Sequence, residues 1–240
     1  MGDDITLLER MRAALRSEPR IGFDQHPIML AFSNGDLVME AELSDIAAKK
    51  LALGTAALVA PGRDIVDRLC VVLAQRMADG EIRIGVRNAL LAESALSQCR
   101  IWETVKRHCE RVREPAAPVG TIDIRVENAV VTLDGDVPGL AQKRLAGVLA
   151  WWVPGSRDVV NGLGVTPPET DNDDEITDSV RIALEKDPFV NADQVRVTTR
   201  HSVVTLHGLV PSASEREAAE FDAWYVFGVD KVVNEIEVRS

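Results

Sequence analysis

With 240 residues, 46% of them hydrophobic and 27% charged, the chain has the composition of an ordinary folded protein and room for one large domain or two to three small ones. A formal net charge of −11 leaves no basic footprint. That excludes a nucleic-acid partner held by phosphate neutralisation and argues against long-range attraction to anionic lipid. Cys70, Cys99 and Cys109 form no C-x-x-C pair and read as free thiols of a reducing compartment. The opening Met1-Gly2-Asp3-Asp4 is acidic where a signal peptide would be basic, and no apolar run reaches membrane-spanning length, so a cytoplasmic protein is the expectation.

A first unit, residues 1–74, starts with a helix over 5–15 that buries Leu7, Leu8, Met11 and Leu15 at helical spacing. Strands over 28–32 and 37–43 flank Asn34-Gly35, whose positive φ angles suit a tight hairpin turn. Ser44 is placed to cap a helix over 45–59, Pro61-Gly62 ends it, and 65–72 closes the unit as a strand.

The second unit, residues 75–166, has strands over 122–126 and 130–137 with Glu127-Asn128 at their turn, a helix over 140–152 and a strand over 158–165. Two stretches compete for its first helix. Residues 81–91 carry Glu81, Ile82, Val86, Arg87 and Leu90 at the positions of Glu175, Ile176, Val180, Arg181 and Leu184, whereas 94–113 lies at the right distance from the strands. In the latter stretch Trp102, Val105, Cys109 and Val112 form a heptad-like apolar stripe, with Arg100, Arg107 and Arg111 on the opposite face. Five Lys/Arg against two Glu over 100–113 make it locally basic, so an additional helix is expected there, either packed by its apolar side or offered to a partner or membrane surface. Two prolines and a cluster of acids over 165–174, Asp173-Asp174 included, read as a stiff, solvated linker.

The third unit, residues 170–240, has a helix containing Ile176, Val180 and Leu184, strands over 195–199 and 203–210, a helix opened by the capping box Ser212-Ala213-Ser214-Glu215, and a strand over 232–238. It repeats the second. Gly135 and Gly155 are 20 residues apart, as are Gly208 and Gly228, and Val159-Val160-Asn161 answers Val232-Val233-Asn234. Trp151-Trp152 likewise answers Trp224-Tyr225.

Two short strands with a glycine near the exit of one, then helix, glycine and strand, resemble the BON domain (bacterial OsmY and nodulation). The resemblance covers the second and third units well and the first weakly, where Ala41 replaces the strand glycine. It implies an α+β protein of tandem αββαβ units, each a small three-stranded sheet covered by helices on one face. It also implies a non-enzymatic role in stress or envelope biology that engages a protein partner or a phospholipid surface. A sensor of a small ligand or ion held between units is the alternative, and self-association is left open.

The four glycines read as structural: Gly155 and Gly228 where a helix turns into a strand, Gly135 and Gly208 where backbones approach closely. Neighbours on a helix point about 100° apart, so one ring of each pair, Trp151 or Trp152 and Trp224 or Tyr225, is expected inside and the other at a rim or between units. The second and third units are accordingly expected to pack as a pseudo-symmetric pair. His201 and His207 read as exposed strand residues, no ligand set stands at metal spacing, and no nucleophile or phosphate-binding motif is present, so neither metal nor cofactor is expected.

Overall fold

A computed structural model describes residues 2–239, with side chains from Asp4 onward. The chain divides into two compact units, Met1–Val72 and Leu73–Ser240.

The N-terminal unit runs α1 (Gly2–Ser17), β1 (Met29–Ser33), β2 (Asp36–Leu43), α2 (Ile46–Val59) and β3 (Ile65–Val71). Strands β1 and β2 pair antiparallel through the Asn34-Gly35 turn, and β3 joins β2 in parallel, giving the order β1-β2-β3. Met11 and Leu15 of α1, Ala48, Ala52 and Ala56 of α2, and Leu37, Met39 and Leu69 of the sheet form one core. The cap of α2 is Asp45, which accepts the Ala48 N–H at 2.9 Å, and not Ser44, whose hydroxyl donates to Asp45.

The second unit holds the main departure from expectation. Its first helix is α3 (Asp79–Ala92), the stretch with the residue match. Residues 94–113 do not form an additional helix. After a short 3-10 turn they form a hairpin, β4 (Cys99–Val105) and β5 (His108–Arg113). Cys99, Ile101 and Glu103 are buried while Arg100, Trp102 and Thr104 are half-buried, a period of two that the 3-4-3 spacing of Trp102, Val105, Cys109 and Val112 conceals. The alternation was masked because an inward position carries Glu103, whose carboxylate lies 3.6 Å from Arg83 and 3.7 Å from Arg87 of α3.

The hairpin extends β6 (Gly120–Glu127), β7 (Val130–Val137), β8 (Asp158–Asn161) and β9 (Gly164–Val165) into a six-stranded sheet, β5-β4-β6-β7-β8 with β9 also on β7. The middle sheet thus has six strands and not three: β4 and β5 are added at an edge the repeat pattern leaves open, with β4 parallel to β6, and the strand expected over 158–165 is broken into β8 and β9. Helix α4 (Leu140–Trp151) packs on β7, β8 and β9.

The third unit has the expected three strands. It runs α5 (Asp173–Lys186), β10 (Val195–Arg200), β11 (Val203–Val210), α6 (Ala213–Tyr225) and β12 (Lys231–Val238), with sheet order β10-β11-β12. Ser212 caps α6 by accepting the Glu215 N–H at 3.2 Å, but Glu215 turns to the Asn191 N–H at 2.9 Å, so the capping box is only half closed. The stretch read as a solvated linker is exposed over 166–172 and is also tied to α4: Glu169 accepts the Leu140 N–H at 2.7 Å, and Asp171 pairs with Arg144 at 2.5 Å. Asp173 belongs to α5, capped by Asn172. The α+β class is as expected, with small three-stranded sheets in the first and third units and a six-stranded one in the second.

Candidate functional site

The repeat has its own internal fastenings, which clear the way to the residues left over for function. Asp79 accepts the N–H groups of Asn128 and Ala129, at 3.0 and 2.8 Å, in a turn whose φ angles are 52° and 63°. Asp173 does the same for His201 and Ser202, at 2.7 and 3.0 Å, in a turn at 50° and 60°. A carboxylate at the start of the first helix thus holds the hairpin turn in both units, and those two N–H groups keep the Asp173 carboxyl below its ordinary range. Asn161 donates to the Lys143 carbonyl and Asn234 to the Arg216 carbonyl, while their Oδ1 atoms accept from Leu163 and Ile236. In the N-terminal unit Asp67 stands at that place. Its Oδ1 accepts the Leu69 N–H, and its other oxygen pairs with Lys49 of α2 at 2.8 Å.

A Cβ on Gly135 would run into the Thr121 carbonyl, and one on Gly208 into the Gln194 carbonyl. Gly155 and Gly228 sit at φ 88° and 90°, against Ile82 and Ile176 of each unit's first helix.

The arginines expected on one helix face lie instead on the hairpin. Arg100 forms a two-pronged pair with Glu114 at 2.7–2.8 Å, Arg111 lies 3.6 Å from the same carboxylate and 6.0 Å over the Trp102 ring, and Arg107 is exposed in the turn. Two of the three thus meet at Glu114, and Arg107 stands apart from them.

The aromatic pairs behave differently, and they meet. Helix α4 packs on both α5 and α6, so the second and third units do form a pair. Trp224 is the inward member of its pair, only 2% exposed, while Tyr225 stays half-buried. Trp151 stacks on Tyr225 with centroids 5.4 Å apart and planes at 16°. Trp152 donates its indole N–H to Asp222 Oδ1 at 2.8 Å. Arg144, buried on α4, reaches the Phe227 carbonyl at 2.9 Å and completes the seam.

Beside this seam opens a cleft of about 300 Å³ lined by Trp152, Asp187, Pro188, Phe189, Ala218, Phe221, Asp222 and Tyr225. It draws on both units. Phe189 is 79% exposed at its rim, and Phe221 and Tyr225 stack 6.4 Å apart on its wall.

Asp222 is its unusual member. The residue is 2% exposed, and no donor is directed at its Oδ2, which has the Asp187 carboxyl beside it. Burial pushes its pKa up to about 8; the Trp152 N–H opposes the shift, and the negative charge of Asp187 adds to it. Near neutral pH the acid is protonated, and Oδ2 becomes a donor with the Asp187 carboxylate beside it. The charged side chains of Asp187 and Asp222 were not recognised in the sequence. Asp222 sits on the buried face of α6, one turn before Val226, where a residue that is apolar in the second unit, Leu149, would have been expected.

The family model for the BON domain matches residues 100–167 and again 172–240. The chain belongs to the BON domain family. The first BON match begins within β4, so α3 lies ahead of it and the β4–β5 hairpin stands where the helix of an uninterrupted copy would be. The N-terminal unit lies outside both BON matches, although its strand order and connections are those of the third unit.

A curated relative, Osmotically-inducible protein Y of Escherichia coli (strain K12), is 31% identical over 124 residues, 49% of this chain and 62% of the relative's length. Two solved structures of CdsD, a structural protein of the type III secretion system of Chlamydia trachomatis, overlap at 12% and 13% identity. They cover 93% and 92% of this chain and 97% and 90% of theirs, with TM-scores of 0.26 and 0.25. Among the described residues no group of three or more His, Cys, Asp or Glu is gathered to hold a metal, and no helix is long and apolar enough to cross a membrane.

Proposed function

We propose that this BON protein is a non-enzymatic binding protein whose working surface is the joint between its second and third units. The observation that carries this is the cleft at that joint, where the buried acid Asp222 stands beside a second carboxyl, Asp187, among aromatic rings. Two acids crowded together away from water disfavour each other's ionised form, and a bound molecule that pairs with both relieves that repulsion. Of the two readings the family resemblance allows, capture of a ligand between units therefore leads over adaptor work on a protein or phospholipid surface.

Two further elements belong to the proposal. The N-terminal unit is a divergent third BON copy, supported by the shared connectivity and by Asp67 standing at the place of Asn161 and Asn234. The chain serves in osmotic stress, by extension from the name of its relative. Three unpaired thiols, two of them buried, fit a reducing, cytoplasmic setting.

The surface reading keeps one observation of its own, the exposed rings of Phe189 and Phe227. Thermal-shift measurement of the full chain against ions and metabolites, beside flotation with liposomes, separates the two. A saturable rise in melting temperature that Trp152→Ala abolishes supports capture at the joint. Lipid-dependent flotation that Trp152→Ala leaves intact, without such a rise, overturns it in favour of surface engagement.

A further inference from the structure

The lining of the cleft narrows the chemistry of what it holds. Trp152, Phe189, Phe221 and Tyr225 supply aromatic surface, and both ionisable residues on the wall, Asp187 and Asp222, are acids; none of the lining residues is Lys or Arg. Ring faces and carboxylates both attract a positive charge and repel a negative one. An anion is excluded, and a neutral apolar guest would leave the negative charge of the acid pair without a counter-ion. A quaternary ammonium would match the charge but brings no N–H to Asp222 Oδ2.

We infer that the cleft binds an organic ammonium ion that still carries N–H, its charge between Asp187 and Asp222 and its apolar body against the aromatic rings. The inference rests on the reading of the joint as a ligand site. Asp187 is half-buried and is the carboxylate an incoming ligand meets first; Asp222 lies behind it with Trp152 fixed on its other oxygen. The groups facing Asp222 are the Trp152 indole from α4, the Asp187 carboxyl from the end of α5, and Tyr225 on its own helix. Binding is an exchange of cations: as the ammonium arrives, Asp222 gives its carboxyl proton to solvent, and the charge of the filled site equals that of the empty one. Because Asp222 titrates at about 8, affinity falls as pH drops below that value, by about 50-fold between pH 8 and pH 6 for one linked proton.

The test is calorimetric titration of the full chain with n-butylammonium, n-butanol and butyltrimethylammonium, at pH 6, 7 and 8 and in buffers of different ionisation enthalpy. Saturable binding of n-butylammonium, close to one proton released at pH 7, and at least a tenfold loss in Asp222→Asn are expected. Asp187→Asn, on the accessible side, should weaken binding and keep the proton release. Equal binding of n-butanol overturns the cation assignment and leaves the cleft as a ligand site, and equal binding of butyltrimethylammonium overturns the requirement for N–H. No binding by any probe, or binding unchanged in both variants, removes the inference together with the reading beneath it. Flotation with phosphatidylethanolamine but not phosphatidylcholine vesicles, lost in Asp222→Asn, identifies a lipid headgroup as the source of the amine. Titration without flotation identifies a free amine.

Discussion

Asp222→Asn should make the protein more stable at neutral and alkaline pH, an unusual outcome for a change at a buried, hydrogen-bonded acid. The carboxyl titrates at 3.8 when unfolded and at about 8 when folded. A folded pKa above the unfolded one means that the native state holds the extra proton between those values. The associated stability is complete below about pH 4 and is lost as pH rises through 8. One pKa unit is about 1.36 kcal/mol, so the full span is worth on the order of 6 kcal/mol and the interval from pH 5 to pH 8 about 4 kcal/mol. Asparagine copies the protonated acid, accepting the Trp152 N–H and offering an N–H toward Asp187, but never ionises. All four tryptophans, Trp102, Trp151, Trp152 and Trp224, lie in the unit Leu73–Ser240, so their fluorescence during urea unfolding follows that unit alone. The variant and the natural protein should converge near pH 4 and separate by several kcal/mol at pH 8, the variant being the more stable. Parallel profiles across that range would refute the buried-acid account of the joint.

Other outcomes follow from the same contacts. Trp152→Phe removes the donor that favours ionised Asp222, so the loss of stability with rising pH should continue to higher pH before levelling off than in the natural protein, as read by the same unfolding series. Asn234→Ala, which breaks bonds to the Arg216 carbonyl and the Ile236 N–H, should cost about 1–3 kcal/mol in the same denaturation experiment. Asp173→Asn should leave the acid limb flatter: the natural carboxylate, held below its ordinary pKa of 3.8, contributes stability that vanishes as pH falls through the depressed value, which acid titration followed by circular dichroism will detect. A fragment of residues 170–240 should unfold at lower urea than the same unit within residues 73–240, because it lacks the Trp151–Tyr225 stack and the Arg144 bond; equal midpoints would mean that the units do not support each other.

How much of this was legible in the sequence depended on whether a pattern repeated. The strands around Gly135 and Gly208, the helices ending at Gly155 and Gly228, and the V-V-N endings each appeared twice at fixed spacing, and two copies turned weak local signals into firm ones. The aromatic pairs also told of packing between units, since rings on adjacent helix positions cannot share one core. The β4–β5 hairpin was misread because it occurs once, and because Glu103 stands where an apolar residue would have revealed the alternation. The acids at 169, 171 and 173 looked like solvent-facing linker residues, whereas each answers a backbone N–H or a guanidinium supplied from elsewhere in the chain. Asp222 was passed over for a related reason. A charged residue on a helix is ordinarily solvated, and the burial that raises its pKa comes from the packing of α4 and the end of α5 around it.

The added hairpin also changes how the protein meets other copies of itself. A sheet that ended on β6 would present the alternating apolar run Ile122, Ile124 and Val126 beside a row of open backbone groups, an invitation to a foreign strand. With β4 paired to β6, the outermost strand becomes β5, which carries His108, Glu110, Arg111 and Arg113 and offers a foreign strand a charged edge in place of that apolar run. The insertion therefore guards the middle sheet against aggregation by strand addition, and does so at the end of the sheet opposite β8, leaving the helical side free for the partner unit.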